Sequence, residues 1–133
     1  MKTGKVKFTF QHMAFLSPES EWAAEASECA SEQGKFWEYH DKLYDNQGRG
    51  AFAKDKLKGY AAELKLDQQK FNACLDTDKY LDQVRAETAK SEQMGVSSTP
   101  TIFINDKKIV GALPYEEFEK AINQALEIGR AHV

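Results

Sequence analysis

Cysteine is scarce in this chain: Cys29 and Cys74 stand 45 positions apart in 133 residues, and there is no Cys-x-x-Cys. Two cysteines are too few for a disulfide scaffold, and His12, His40 and His132 complete no zinc-ligand spacing with them. No metal site and no cofactor is therefore expected. Gly48-x-Gly50 is too short and badly placed for a phosphate loop. Long apolar runs are missing as well. No segment approaches the roughly 18 apolar residues that a membrane-spanning helix needs, and Met1-Lys2-Thr3-Gly4-Lys5 leads into only a short apolar stretch, which is no signal segment. An excess of basic charge is also lacking. The net charge is −3, with lysines and arginines scattered among acids, which speaks against nucleic-acid or anionic-membrane binding.

What is present describes one domain able to bury a core, with a hydrophobic fraction of 41% and a charged fraction of 29%. The two cysteines are open to two readings: a single disulfide, which implies an oxidising compartment, or two buried thiols acting as small apolar side chains.

Along the chain, Val6, Phe8 and Phe10 alternate with polar residues, which predicts a short half-buried strand. Ser17-Pro18-Glu19 reads as a helix start, with serine as cap, proline at the first helical position and an acid at the positive end of the dipole. Trp22, Ala26, Cys29, Ala30 and Gln33 share one face of that helix, which Gly34 ends. Phe36, Trp37, His40, Leu43 and Tyr44 mark a second helix, closing near Asn46-Gln47-Gly48; Arg49-Gly50-Ala51 reads as loop. Leu57, Tyr60, Ala61 and Leu64 mark a third. Asp67 to Leu75 forms a short fourth with Phe71, Cys74 and Leu75 on one side. A longer helix opening at Thr77 or Asp78 carries Leu81, Val84, Thr88 and Met94 and stops at Gly95; so few apolar positions predict a wet side.

The C-terminal third changes period. Thr101-Ile102-Phe103-Ile104 and Lys107-Lys108-Ile109-Val110 read as two strands joined by Asn105-Asp106, residues that tolerate positive φ. A helix signal opens at Pro114, with Tyr115, Phe118, Ile122, Ala125 and Leu126 on its apolar face. Pro100 stands directly before the first of these strands. It has no N–H for a ladder, and an X-Pro bond is where a cis peptide is cheap.

These residues resemble the DsbA-type thioredoxin-like proteins. Ala23-Ala24-Glu25-Ala26 with Cys29-Ala30, Gln33-Gly34-Lys35-Phe36-Trp37-Glu38-Tyr39-His40-Asp41, and Phe71-Asn72-Ala73-Cys74-Leu75 look like that family's inserted helical domain. The run from Gly95 through Thr99-Pro100 to Asn105, continued by Ile109-Val110-Gly111-Ala112, resembles its cis-proline loop and hairpin, and Tyr115-x-x-Phe118 its last helix. The resemblance implies an α/β thioredoxin-like fold, with residues 5–12 and 96–128 as the thioredoxin-like part and 17–95 as the helical insertion. It also implies that the chain starts after the family's central strand and Cys-x-x-Cys helix, a gap on the order of 30 residues. The chain then reads as the C-terminal portion of such a protein, shortened either in the gene or in the expressed polypeptide.

The implied activity is thiol–disulfide exchange on thiol-containing proteins or peptides, in a periplasmic or secreted parent, with this chain catalytically incomplete and whether it is an enzyme left open. No residue here is assigned a catalytic role. Exchange needs an accessible thiolate, favoured at a helix N-terminus; Cys29 lies deep in its helix and Cys74 near a helix C-terminus. The resemblance implies a structural Cys29–Cys74 disulfide, with two buried thiols as the alternative. It assigns substrate docking to the Thr99 backbone, held outward by Pro100; the alternative is an ordinary trans proline at a strand edge.

Other residues carry plainer readings. His40 reads as a core histidine, His12 as a solvated loop histidine, His132 as part of a frayed tail, and Trp22 and Trp37 as core. Glu116, Glu117 and Glu119 read as a solvated helix face. Without the central strand, the strands at Val6–Phe10 and Thr101–Ile104 would have bare edges, so they are expected to pair with each other or to form a homodimer. Two further functions fit the resemblance: a non-redox peptide-holding module, or a relative of the kappa-type glutathione transferases and isomerases.

Overall fold

The computed structural model describes residues 5–15, 17–105 and 107–131. Its elements run α1 (Pro18–Ser31), α2 (Phe36–Asp45), α3 (Lys54–Glu63), α4 (Gln68–Asp76), α5 (Leu81–Gln93), β1 (Thr101–Ile104), β2 (Lys107–Val110) and α6 (Tyr115–Ala131). Contacts divide the chain into a helical unit, Gln11–Ser91, and a second unit made of the residues up to Phe10 and those from Glu92 onward.

In the helical unit α1 is the hub, packing against α2, α3 and α4. Its alanines explain this, because small side chains let neighbouring helices approach closely. Ala23, Ala26, Cys29 and Ala30 of α1 form one core with Tyr39 and Leu43 of α2, Leu57 and Ala61 of α3, and Phe71, Cys74 and Leu75 of α4. The buried phenol of Tyr39 donates to the Leu57 carbonyl at 2.9 Å, and its ring lies 5.6 Å from that of Phe71. Burial pushes that phenol's pKa well up.

Helix ends follow local chemistry. Ser17 occupies the N-cap of α1 with Pro18 behind it, yet its side chain makes no cap bond; its carbonyl accepts from the N–H groups of Ser20 and Glu21. Gly34, at φ +73°, closes α1 while the Lys35 N–H returns to the Ala30 carbonyl at 3.0 Å. Asp67 caps α4 by accepting from the Lys70 N–H at 3.1 Å.

The aromatic face of α2 is turned differently from the sequence expectation. Tyr39 and Leu43 point inward, whereas Trp37 is 43% and Tyr44 60% exposed. Trp37 is therefore not core. His40 is only partly buried, stacked on Tyr44 at 4.4 Å and beside Asp41 at 3.1 Å. A helix buries only one stripe, and here the contacts of Tyr39 with Leu57 and Phe71 decide which.

The α5 face expected to be wet is partly occupied by protein. Ser91 is buried, and Thr88 accepts from the Ala14 N–H at 3.1 Å. Glu87 accepts from the His12 N–H at 3.2 Å, and the Ser91 hydroxyl donates to the His12 carbonyl at 3.2 Å. A weakly apolar face thus satisfies an extended backbone, residues 11–14, with side-chain hydrogen bonds.

In the second unit β1 and β2 form a two-stranded antiparallel sheet, in register from Thr101↔Val110 to Ile104↔Lys107. Asn105 turns the hairpin at φ 53°, while Asp106 lies outside the described residues. The α6 helix packs on β1, with Ala121 and Ile109 buried. Residues 6–10 form no strand, contrary to the sequence expectation, and Phe8 is 54% exposed. Alternation marks a segment able to join a sheet; a strand exists only where a ladder partner accepts it. Among the described residues, β1 has a strand ladder with β2 and none with this segment.

Candidate functional site

The loop entering β1 is built by residues that constrain it from both sides. Gly95, at φ +84°, ends α5, and the Lys108 ammonium donates to its carbonyl. Val96 is buried and anchors the loop's start, whereas Ser97, Ser98, Thr99 and Pro100 are exposed. The Thr99–Pro100 peptide bond is cis. The Thr101 hydroxyl donates back to the Ser98 carbonyl at 2.6 Å, and the Gly111 N–H donates to the Pro100 carbonyl at 2.8 Å. The loop is thereby tied at both flanks. Among the described residues, no protein hydrogen bond is made by the backbone N–H or C=O of Thr99. An exposed amide and carbonyl at the end of a strand are what an extended peptide needs for a main-chain pair.

The cysteines lie in the helical unit. Cys29 of α1 and Cys74 of α4 are bonded to each other, with Cα atoms 5.9 Å apart, and no free cysteine remains. Both are buried, at 1% and 6% exposure. A cavity of about 470 Å³ opens beside them, lined also by Glu32, Lys70, Thr77 and Lys79, but its positive side is partly neutralised because Lys79 bonds Glu32 at 2.6 Å. The chain thus holds an exposed loop backbone at the head of β1 and no free thiol.

His12 departs furthest from the sequence expectation. It is only 3% exposed, not solvated, and its Nε2 lies 2.9 Å from a carboxylate oxygen of Glu28. Its neighbours Glu28 and Glu87 are 16 and 75 positions away, so spacing alone offered no signal. A second buried group went unread too. Glu25 of α1 is fully buried, and neither carboxyl oxygen has a hydrogen-bond partner among the described residues. Burial, followed by the like charge of Asp78, pushes its pKa up to about 7.

A cis X-Pro bond opening a hairpin that a last helix backs is the arrangement of a thioredoxin-like module. The chain belongs to the family whose model, described as Thioredoxin, matches residues 1–124. Oxidised BdbD from Bacillus subtilis superimposes on 95% of this chain, and on 71% of its own, with a TM-score of 0.84 at 29% identity. A thioredoxin-like oxidoreductase from Silicibacter pomeroyi matches 88% of this chain and 66% of its own, with a TM-score of 0.77 at 20% identity. The fold is therefore thioredoxin-like, of the kind found in DsbA-type oxidoreductases, with its helices and small sheet.

Among curated relatives, disulfide bond formation protein D of Bacillus subtilis is 30% identical over 130 residues. The Na⁺/H⁺ antiporter NhaA of Herminiimonas arsenicoxydans is 34% identical over 107 residues. These alignments take in 93% and 80% of this chain, but only 59% and 17% of the respective relatives. Among the described residues, no helix is long and apolar enough to cross a membrane.

Proposed function

We propose that this chain is the substrate-docking and helical part of a DsbA-like thiol–disulfide oxidoreductase, catalytically incomplete as it stands. The observation that carries the reading is the exposed Thr99–Pro100 loop at the head of β1, where the Thr99 backbone makes no protein hydrogen bond among the described residues. An extended segment of a thiol-containing protein or peptide pairs with Thr99, and Pro100 keeps that backbone turned outward. The nucleophile is a dithiol that this sequence does not contain. The relative named for disulfide bond formation supports the same chemistry and, for the parent, an extracytoplasmic setting.

The Cys29–Cys74 bond serves structure: both residues are buried members of the helical core, and neither sits at a helix N-terminus that would lower a thiol pKa. The antiporter relatives lend no transport function, because the shared segment is less than a fifth of their length. An insulin-reduction assay tests the reading. The chain alone gives no turnover above the dithiothreitol background, whereas sustained turnover would show that Cys29 and Cys74 exchange and that the assignment is wrong.

A further inference from the structure

We infer that the Cys29–Cys74 disulfide is a gated redox site: a proton on the buried Glu25 carboxyl holds the turn 77–79 shut beside it against small thiols. Two sides of that one turn carry the inference. Asp78 faces Glu25, while its neighbours Thr77 and Lys79 line the cavity beside the two cysteines.

The turn is also the end of the helix that carries Cys74. The Lys79 N–H donates to the Cys74 carbonyl and the Asp78 N–H to the Leu75 carbonyl, both at 3.3 Å. This pattern closes a helix with one left-handed residue, and glycine is the usual choice there. Here the residue is Asp78, at φ 52°. Aspartate tolerates that conformation better than most side chains, and it turns a carboxylate toward Glu25. Lys79 adds a strap, bonding Glu32 at the C-cap of α1 at 2.6 Å. With the turn in place, Cys29 is 1% and Cys74 6% exposed.

Glu25 works the gate. It is fully buried, and among the described residues neither of its carboxyl oxygens has a hydrogen-bond partner. Burial first, and Asp78 next, push its pKa up to about 7. Glu21 of α1 and Asp78 oppose its ionisation, Lys54 at the start of α3 favours it, and Arg85 of α5 is close enough to respond to it. Both cations have other partners: Lys54 lies 3.9 Å from Asp78, and Arg85 2.8 Å from Glu21. Below pH about 7 the neutral carboxyl and the Asp78 carboxylate sit together without repulsion. Above it, two like charges face each other with Glu25 out of water. Asp78, whose side chain is half-exposed, is the partner able to swing into solvent. Its departure undoes the helix end at Cys74 and draws Thr77 and Lys79 off the cavity.

The chemistry is thiol–disulfide exchange. The thiolate of a small dithiol attacks the Cys74 sulfur, the Cys29–Cys74 bond breaks, and Cys29 leaves as a thiolate that takes up a proton. The second thiol of the reagent then displaces Cys74 as a thiol, so two electrons pass to the protein and the reagent ends as a cyclic disulfide. This reduction happens once per chain and sustains no turnover on a protein substrate. It loosens the helical unit where the pH is neutral and a thiol is present, and spares it in acidic or oxidising surroundings.

The test is the rate at which dithiothreitol reduces the full chain between pH 5 and pH 8, read by trapping free thiols after an acid quench. Each rate is divided by that for oxidised glutathione at the same pH, which removes the titration of the reagent. The normalised rate should climb about tenfold or more as pH rises through about 7, and Glu25→Gln should hold it at its low-pH value. Asp78→Asn should shrink the rise, because an ionised Glu25 then meets a neutral amide. Low urea should leave the rise unchanged, since opening one turn exposes little surface. A flat normalised profile, or an equal climb in Glu25→Gln, overturns the gate. So does a rate that steepens with urea as whole-unit unfolding does, which would make access to the disulfide global.

Discussion

The Gly111 N–H donates to the Pro100 carbonyl at 2.8 Å, which extends the β1–β2 ladder one step beyond the Thr101↔Val110 pair. Proline has no N–H to give, so its carbonyl is its one handle on the hairpin. Gly111 meets it at φ +94°, a backbone region that side-chain-bearing residues rarely adopt. Gly111→Val is expected to destabilise the fold by about 1–3 kcal/mol and to weaken peptide docking at Thr99. Urea denaturation and peptide titration of the same variant check both halves.

The Cys29–Cys74 bond closes a loop of 45 positions, for which the chain-entropy argument gives about 4 kcal/mol. The paired Cys29→Ala/Cys74→Ala variant should lose most of that in guanidinium unfolding. Thiol titration of the unfolded, unreduced protein should find no free thiol. Two titratable thiols would favour the buried-thiol alternative.

Glu25 makes the helical unit pH-sensitive. It faces Asp78 and Glu21, which raise its pKa, and Lys54, which lowers it and lies 3.9 Å from Asp78; Arg85 adds positive charge from α5. Below pH about 4.5 the carboxyl is neutral in both folded and unfolded chains and costs nothing. As pH climbs toward about 7, the unfolded chain releases the proton and the folded one keeps it, so stability falls by up to roughly 3 kcal/mol and then levels off. Glu25→Gln, neutral throughout, should flatten this slope in denaturation curves taken from pH 5 to pH 8.

The two-stranded sheet has two outer edges, and that of β2 carries exposed Lys107 and Lys108, which oppose strand addition. Homodimer formation, if edge pairing drives it, runs through β1. Sedimentation at rising concentration should then show association that a docked peptide suppresses, since both occupy the same edge. Association untouched by peptide would exclude β1 as the interface.

Much of this architecture is legible in the residues themselves. Ser17-Pro18 and Gly34 bracket α1, Asp67 starts α4, Gly95 ends α5, and the change from helical to twofold period at Thr101 announces the hairpin. Those signals are local. What escaped depends on distant partners: Val6–Phe10 alternates but needs a neighbouring strand, and the inward turn of Tyr39 in place of Trp37 depends on Leu57 and Phe71. His12 looks like a loop residue until Glu87 and Ser91 of α5 close over it. Thr99 and Pro100 could be singled out because adjacency in sequence is adjacency in the loop. Glu28 and Glu87 could not, because only the fold brings them to His12.

The most direct measurement is an amide NMR titration of the full chain with a short extended peptide in which serine replaces cysteine, run in parallel on Pro100→Ala. The account predicts that saturable shifts concentrate at Ser97–Thr101 and along β1, and that they weaken severalfold in the variant. Shifts confined to the helical unit, or binding indifferent to Pro100, would contradict it.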